Sequence, residues 1–318
     1  MFRAFQYKFR GLPTPMAGLA LGVASLGWCA ENALPLNGWG QLAGAAVASW
    51  LLAMLVVRFV FHADTLVRDL RHPVVGSIVP TFAMAVMVIS RALHDFLPTV
   101  GVTLWCAAVA VHLLALAAFL VYRARENIMN NMVPSWFIPP VGIVVADVTF
   151  PGTPALEPLA LVLLWIGLAS YAVLLPVMLY RLIFLPEVPN AAKPTIAIMA
   201  APASLSLAGY LSVVKEPSLL VTAVLLGIAI LMTFVIYLSF VRLLRLQFSP
   251  GYAAFTFPMA IGATALYKCA ALAASFPGGE GYATQLRGLA HIELAVAALV
   301  IGYVFVLYMK NLRVFLQG

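Results

Sequence analysis

The sequence predicts an all-α integral membrane protein: ten transmembrane helices, arranged as five helical hairpins in a quasi-five-fold ring around a central pore. Three observations lead there. The chain of 318 residues is 64% hydrophobic and 9% charged, with a mean hydropathy of +1.04, whereas a soluble domain carries about 25% charged residues. Ten windows are long and apolar enough to cross a bilayer, which takes roughly 20 residues each. A proline followed by small residues recurs at an interval near 60 residues, with two spans per interval, and such a period marks an internal repeat.

The ten windows are 13–31, 41–61, 76–95, 99–122, 134–150, 155–183, 194–213, 217–241, 252–275 and 287–309. Each odd one has its proline in the first half: Pro15 before Gly18, Pro80 before Ala83, Pro139 before Gly142, Pro202 before Ser204, and Pro258 before Ala260. The intervals between these prolines are 65, 59, 63 and 56 residues. The even spans read as smooth runs of Leu, Val and Ala, such as Leu219 to Ile230. A proline inside a helix removes a backbone hydrogen bond and bends it. In a bilayer such a bend survives where protein or a water-filled cavity satisfies the freed groups. The odd helices therefore belong on the axis, with the even helices outside facing lipid. Successive odd spans are two crossings apart and run parallel, which suits a ring rather than inverted repeats. Small residues after each proline, among them Gly18, Gly22, Gly142 and Ser206, let backbones approach and leave room in the middle. Residues 1–318 read as one transmembrane domain.

Positive charge sets the orientation. Arg3, Lys8, Arg10, Arg58, Arg68, Arg71, Arg123, Arg125, Arg181, Lys193, Arg242, Arg245, Lys310 and Arg313 fall on the N-terminal side of the bundle, against Arg91, Lys215, Lys268 and Arg287 on the other. Fourteen cations against four place both termini in the cytoplasm. The basic, aromatic stretch from Met1 to Arg10 lacks a cleavable signal pattern, so the first span is expected to remain in the mature chain. Arg68 and Arg71 are also placed to touch anionic lipid headgroups.

The stretch from Tyr252 to Lys268 is the centre of the reading. Phe255 and Phe257 precede Pro258, and either aromatic, placed on the axis, would plug a conduit. Phe257, Ile261, Thr264 and Lys268 share one helical face, with Lys268 about 16 Å further out by helix rise. Lys268 on that face would attract anions. The bland reading has it snorkelling, or paired with Glu31, Asp95 or Asp147, which close spans 1, 3 and 5 on the same side. Arg91 stands one turn before Asp95 and can neutralise it. His112, His291 and Glu293 lie on even spans and read as packing or hydrogen-bonding residues rather than a proton relay.

Cys29, Cys106 and Cys269 are isolated, with no CxxC pair, and read as packing residues rather than disulfides or metal ligands. No Walker loop, GxGxxG, HExxH or nucleophile elbow occurs, so an enzyme is not expected, nor a cofactor or metal.

Gly18 to Gly22 with Trp28, Glu31 and Asn32, His72 to Pro80, Pro134 to Pro139, Ala201 to Ala203 with Tyr210 to Ser212, and Phe255 to Met259 together resemble the tellurite-resistance/dicarboxylate transporter family, which includes bacterial TehA and the slow anion channels of plant guard cells. The resemblance covers nearly the whole chain. It implies ten helices in a five-fold quasi-symmetric ring, a homotrimer with one pore per subunit, and passive anion conduction. It also implies that a phenylalanine blocks the pore, and the matching residue is Phe257, directly before Pro258. Pro15, Gly18, Gly22, Pro80, Pro139, Gly142, Pro202, Ser206, Pro258, Ile261 and Thr264 then line the pore or form its helix bends, with Lys268 attracting anions. The long tails used for kinase control in the plant members have no counterpart in this sequence.

The resulting expectation is a gated channel for small inorganic anions such as chloride and nitrate. It would sit in a bacterial inner membrane, in contact with lipid and with no nucleic-acid partner. The alternative is a carrier of four-carbon dicarboxylates or an exporter of tellurite-like oxyanions. A carrier needs fixed charge near the midplane, and the middle thirds of the odd spans hold none.

Overall fold

A computed structural model describes residues 8–124 and 128–317. Arg3 and Arg125, two of the cations used to set orientation, lie outside the described residues. Among those described, the secondary structure is helical, with no strand. Eight helices among the described residues are long and apolar enough to cross a membrane: α2 (Trp39–Phe61), α3 (Val75–His94), α4 (Pro98–Arg123), α6 (Pro154–Phe184), α7 (Asn190–Val213), α8 (Leu219–Leu243), α9 (Pro250–Ala274) and α10 (Glu280–Phe315). The first and fifth expected spans are shorter apolar helices, α1 (Met16–Ala30) and α5 (Pro134–Val148). The 15 residues of α1 extend only about 22 Å at the α-helical rise, less than the roughly 30 Å hydrocarbon core. Pro13 and Pro15 hold back its start. In α5 the prolines at 134, 139 and 140 divide the element into alternating 3-10 and α turns.

The prolines do not bend continuous helices as the sequence suggested. Each begins or adjoins the start of a new helical segment. Pro15 and Pro80 directly precede the α-helices Met16–Ala30 and Thr81–His94. In α7 a 3-10 stretch, Asn190–Ala200, gives way to α-helix at Ala201, with Pro202 in its first turn. In α9 the 3-10 stretch Pro250–Phe255 gives way at Phe257, with Pro258 in the first turn. The first turn of a helix has no i−4 carbonyl to bond, so proline is tolerated there without distortion. The even helices are not uniformly smooth either: Pro176 sits inside α6, which nevertheless continues from Glu157 to Phe184.

Packing separates the two sets. α1 packs on α3, α3 on α5, α5 on α7, α7 on α9, and α9 back on α1. Every even helix packs against the odd helix before it and the odd helix after it in that order, α10 lying across α9 and α1. Between 67 and 83% of the most apolar stretch of α3, α7 and α9 is buried within the protein, against 22–44% for the even helices. The exposed side chains of the even helices are themselves apolar, Leu114, Val162, Leu220 and Leu299 among them. That pattern is stable only against hydrocarbon.

Backbone groups released by the interrupted helices are met by side chains. Trp105 and His112 of α4 stand two turns apart and donate to the Ala146 and Pro139 carbonyls of α5 at 3.0 and 2.9 Å. His112 thus has the hydrogen-bonding role expected of it. The Thr256 hydroxyl bridges the carbonyls of Ala253 and Gly18, at 2.7 and 3.1 Å, and Tyr308 donates to the Pro250 carbonyl. At the arginine-rich end, Arg58 is buried, pairs with Asp69 at 2.8 Å and donates to the Thr14 hydroxyl at 2.7 Å. Asp69 lies on a short helix, Ala63–Arg71, that this pair fastens to α2 and that Thr14, donating to Asp69, fastens to the start of α1. Arg123 and Arg181 end α4 and α6 in the same way, buried and donating to the Arg71 and Pro186 carbonyls.

Candidate functional site

Two cavities lie among the odd helices. The larger takes wall residues from all five, including Pro15 and Gly18, Ile78 and Thr81, Phe137 and Gly142, Ala201 and Pro202, and Ala253 and Phe257. The smaller is lined by Ser25, Trp28, Val88, Val145, Val148, Thr149, Phe257, Ile261 and Thr264. Phe257 is the one residue common to both linings.

Local structure explains that position. The 3-10 stretch ends at Phe255, and Thr256 carries the turn into the α-helix that begins at Phe257. On the other side of this turn stands Gly22 of α1. A Cβ there would be 2.4 Å from Thr256 Oγ1 and 3.2 Å from the Phe257 nitrogen. The bare Gly22 backbone therefore packs against the Thr256 side chain and the Phe257 nitrogen, where the Phe257 side chain leaves the helix. Phe255, two residues earlier, points elsewhere. It is fully buried against Tyr252 and Phe240, with ring centroids at 4.7 and 5.5 Å, and touches neither cavity.

The remaining sequence-predicted positions divide. Pro15, Gly18, Gly142, Pro202 and Pro258 line the large cavity, while Ile261 and Thr264 line the small one. Gly22 serves the α1–α9 contact instead. Neither Pro80 nor Pro139 reaches a cavity: Pro80 precedes the second segment of α3, and the Pro139 carbonyl is taken by His112. Ser206 is buried, outside both linings, with no hydrogen-bond partner among the described residues. Positions not singled out from sequence include Leu21, Ile78, Met84, Val141 and Leu205. Their signal was spacing: Gly18, Leu21, Ser25 and Trp28 follow one helical face through both cavities, as do Thr81, Met84 and Val88.

Among the described residues, no charged side chain lines either cavity. The hydroxyl in the larger one, that of Thr81, donates to the Ile78 carbonyl. Lys268 stands one turn beyond Thr264 on the same face, with no ion pair or hydrogen bond among the described residues. The three carboxylates considered as its partners are engaged otherwise. Glu31 accepts from the backbone nitrogens of Gly38 and Gln41 at the start of α2, both at 3.1 Å. Asp95 pairs with Arg91 at 2.9 Å, as the spacing predicted. Asp147 is fully buried, and its oxygens make no hydrogen bond among the described residues. Among those residues, no group of His, Cys, Asp and Glu could hold a metal ion.

Apolar helices long enough to cross a membrane many times define a multi-pass membrane protein. Residues 15–309 match the voltage-dependent anion channel family (SLAC1), and the chain belongs to that family. It is similar to two uncharacterized transporters of Methanocaldococcus jannaschii. One is 26% identical over 237 residues, covering 66% of this chain and 68% of the relative. The other is 26% identical over 231 residues, covering 64% and 66%.

Proposed function

We propose that this protein is a gated channel that passes small anions such as chloride and nitrate down their gradient, and that Phe257 is its gate. In this reading the ten helices form five hairpins in a quasi-five-fold ring. The pore runs along the axis from the large cavity through the small one and out past Lys268. The observation that carries the proposal is the place of Phe257 in the walls of both cavities: moving that one ring joins them. A ring beside the start of a helix can leave the axis by a rotamer change or a small helix movement, so opening need not remodel the bundle.

The cyclic packing of the odd helices supports the ring, and family membership supports anions as the permeant species. The uncharged cavity walls favour a channel over a carrier of dicarboxylates, which would need fixed cations to hold two carboxylates away from water. The arginines at the ends of α2, α4 and α6 support cytoplasmic termini. A homotrimer with one pore per subunit, in a bacterial inner membrane, completes the proposal.

Reconstituted in liposomes, an opened form of the protein should carry chloride and nitrate passively, with flux proportional to the gradient. Saturable malate uptake tied to a second ion, without chloride conductance, would overturn the channel reading.

A further inference from the structure

α10 lies against the back of α9, away from the face that carries Phe257, Ile261 and Thr264. At the contact the α9 residue is Gly262, and Glu293 of α10 occupies the notch it leaves. A Cβ on Gly262 would be 2.3 Å from Glu293 Oε2. That oxygen is buried and has no hydrogen-bond partner among the described residues. The titratable groups around it are Tyr237 from α8 and Cys29 from α1, with Tyr267 of α9 next to Cys29. The Tyr237 and Tyr267 hydroxyls are also buried without partners. His291, on the same helix as Glu293, packs edge-on against Tyr267 at 5.6 Å. Lys268 belongs to the cavity face of α9, and no cation pairs with Glu293 among the described residues.

We propose that Glu293 is a proton-binding site that sets the position of α9 and, through it, of the Phe257 ring; this rests on the reading of Phe257 as the gate. An ionised carboxylate sealed in an apolar notch without a donor is costly, whereas the neutral acid fits it. The closed arrangement therefore takes the protonated form. When the carboxyl gives its proton to water, the remaining anion favours an arrangement in which it leaves the notch, or in which α9 shifts so that the Tyr237 hydroxyl donates to it. Gly262 and Phe257 are five residues apart on one α-helix, so a displacement at the notch reaches the ring as a rigid movement. A ligand shifts a two-state equilibrium only by its differential affinity for the two states, and the proton has that difference at Glu293.

The test is anion flux in liposomes at equal internal and external pH, from pH 6 to pH 9, with every variant first shown to elute as a single species. The parent should conduct more as pH rises, by threefold or more per unit, up to the about tenfold limit of one fully coupled proton. Glu293→Gln should stay at the acidic level throughout. Gly262→Ala, whose new methyl group displaces the carboxylate, should conduct already at pH 6. Phe257→Ala should conduct at every pH. If Phe257→Ala conducts while Glu293→Gln keeps the parent's pH profile, the proton site is wrong and the gate stands. A parent flux independent of pH, or a Gly262→Ala as closed as the parent at pH 6, also overturns the proton site. If Phe257→Ala stays closed, the gate reading itself falls.

Discussion

Gly22 of α1 lies against the turn that delivers Phe257: a single added carbon at Gly22 would sit 3.2 Å from the Phe257 nitrogen and 2.5 Å from Thr256 Cβ. Thr256 cannot easily move aside, because its hydroxyl is bonded to the carbonyls of Ala253 and Gly18. Gly22→Ala should therefore force α1 and α9 apart, costing about 1–3 kcal/mol as overpacking does, and raise resting anion leak. Gly18→Ala is the control, since its Cβ would meet Ala253 Cβ at an ordinary 3.5 Å. Thermal unfolding in detergent and liposome leak should separate the two. Equal behaviour would remove the role given to the α1–α9 contact.

The buried pair at the arginine-rich end gives a prediction about stability alone. The side chains of Arg58 and Asp69 are 6 and 14% exposed, and Thr14 donates to Asp69 at 2.5 Å. Removing one partner strands the other, a change that costs about 3–5 kcal/mol in buried pairs. Arg58→Met should lower the unfolding temperature sharply, whereas Arg10→Met, whose pair with Asp64 is exposed, should leave it nearly unchanged. A double variant, Arg58→Met with Asp69→Leu, should recover part of the loss.

The inner and outer helix sets differ in what they offer to water. Single cysteines along the cavity faces of α1, α3, α7 and α9 should react with a water-soluble thiol reagent once the channel is open. Cysteines at lipid-facing sites such as Leu114, Val162, Leu220 and Leu299 should not. Labelling confined to the even helices would contradict an axis lined by the odd ones.

Lys268 has no partner among the described residues and follows Thr264 on the face of the smaller cavity. Lys268→Gln should lower anion flux several-fold at low salt and by less at high salt, because the field of such a charge is screened over about 8 Å at physiological ionic strength. Flux equal to the parent's across that range, in a folded protein, would place the lysine outside the conduction path.

Much of this architecture was legible before any coordinates. Hydropathy marked eight helices long enough to span and two shorter ones, and the spacing of Pro15, Pro80, Pro139, Pro202 and Pro258 separated more buried from more exposed helices, because proline and small residues are placed where backbone must be irregular. What those prolines do was less legible. A proline that bends a helix and one that opens it look alike in sequence, and the difference lies in the 3-10 stretches ahead of Pro202 and Pro258, which apolar composition does not signal. Arg58, Arg123 and Arg181 read as orientation signals, yet they turn inward; a charge count cannot show which carbonyl or carboxylate the fold brings to them. Asp147, a candidate for the outer mouth, is buried instead, since one residue of rotation on α5 decides between axis and interface. Phe255 and Phe257 were equivalent by residue type and spacing, and they diverge because a 3-10 segment ends between them.

The most direct test of the central claim compares Phe257→Ala with Phe255→Ala in the same liposomes, at matched protein density and under conditions where the parent is closed. Truncating Phe257 should join the two cavities and produce a standing chloride and nitrate conductance many times the parent's, at a stability cost no greater than the about 3–5 kcal/mol of a core Phe→Ala change. Truncating Phe255 removes packing against Tyr252 and Phe240, so it should cost stability while leaving the channel shut. A Phe257→Ala protein as closed as the parent, or a Phe255→Ala protein that conducts in its place, would contradict the account.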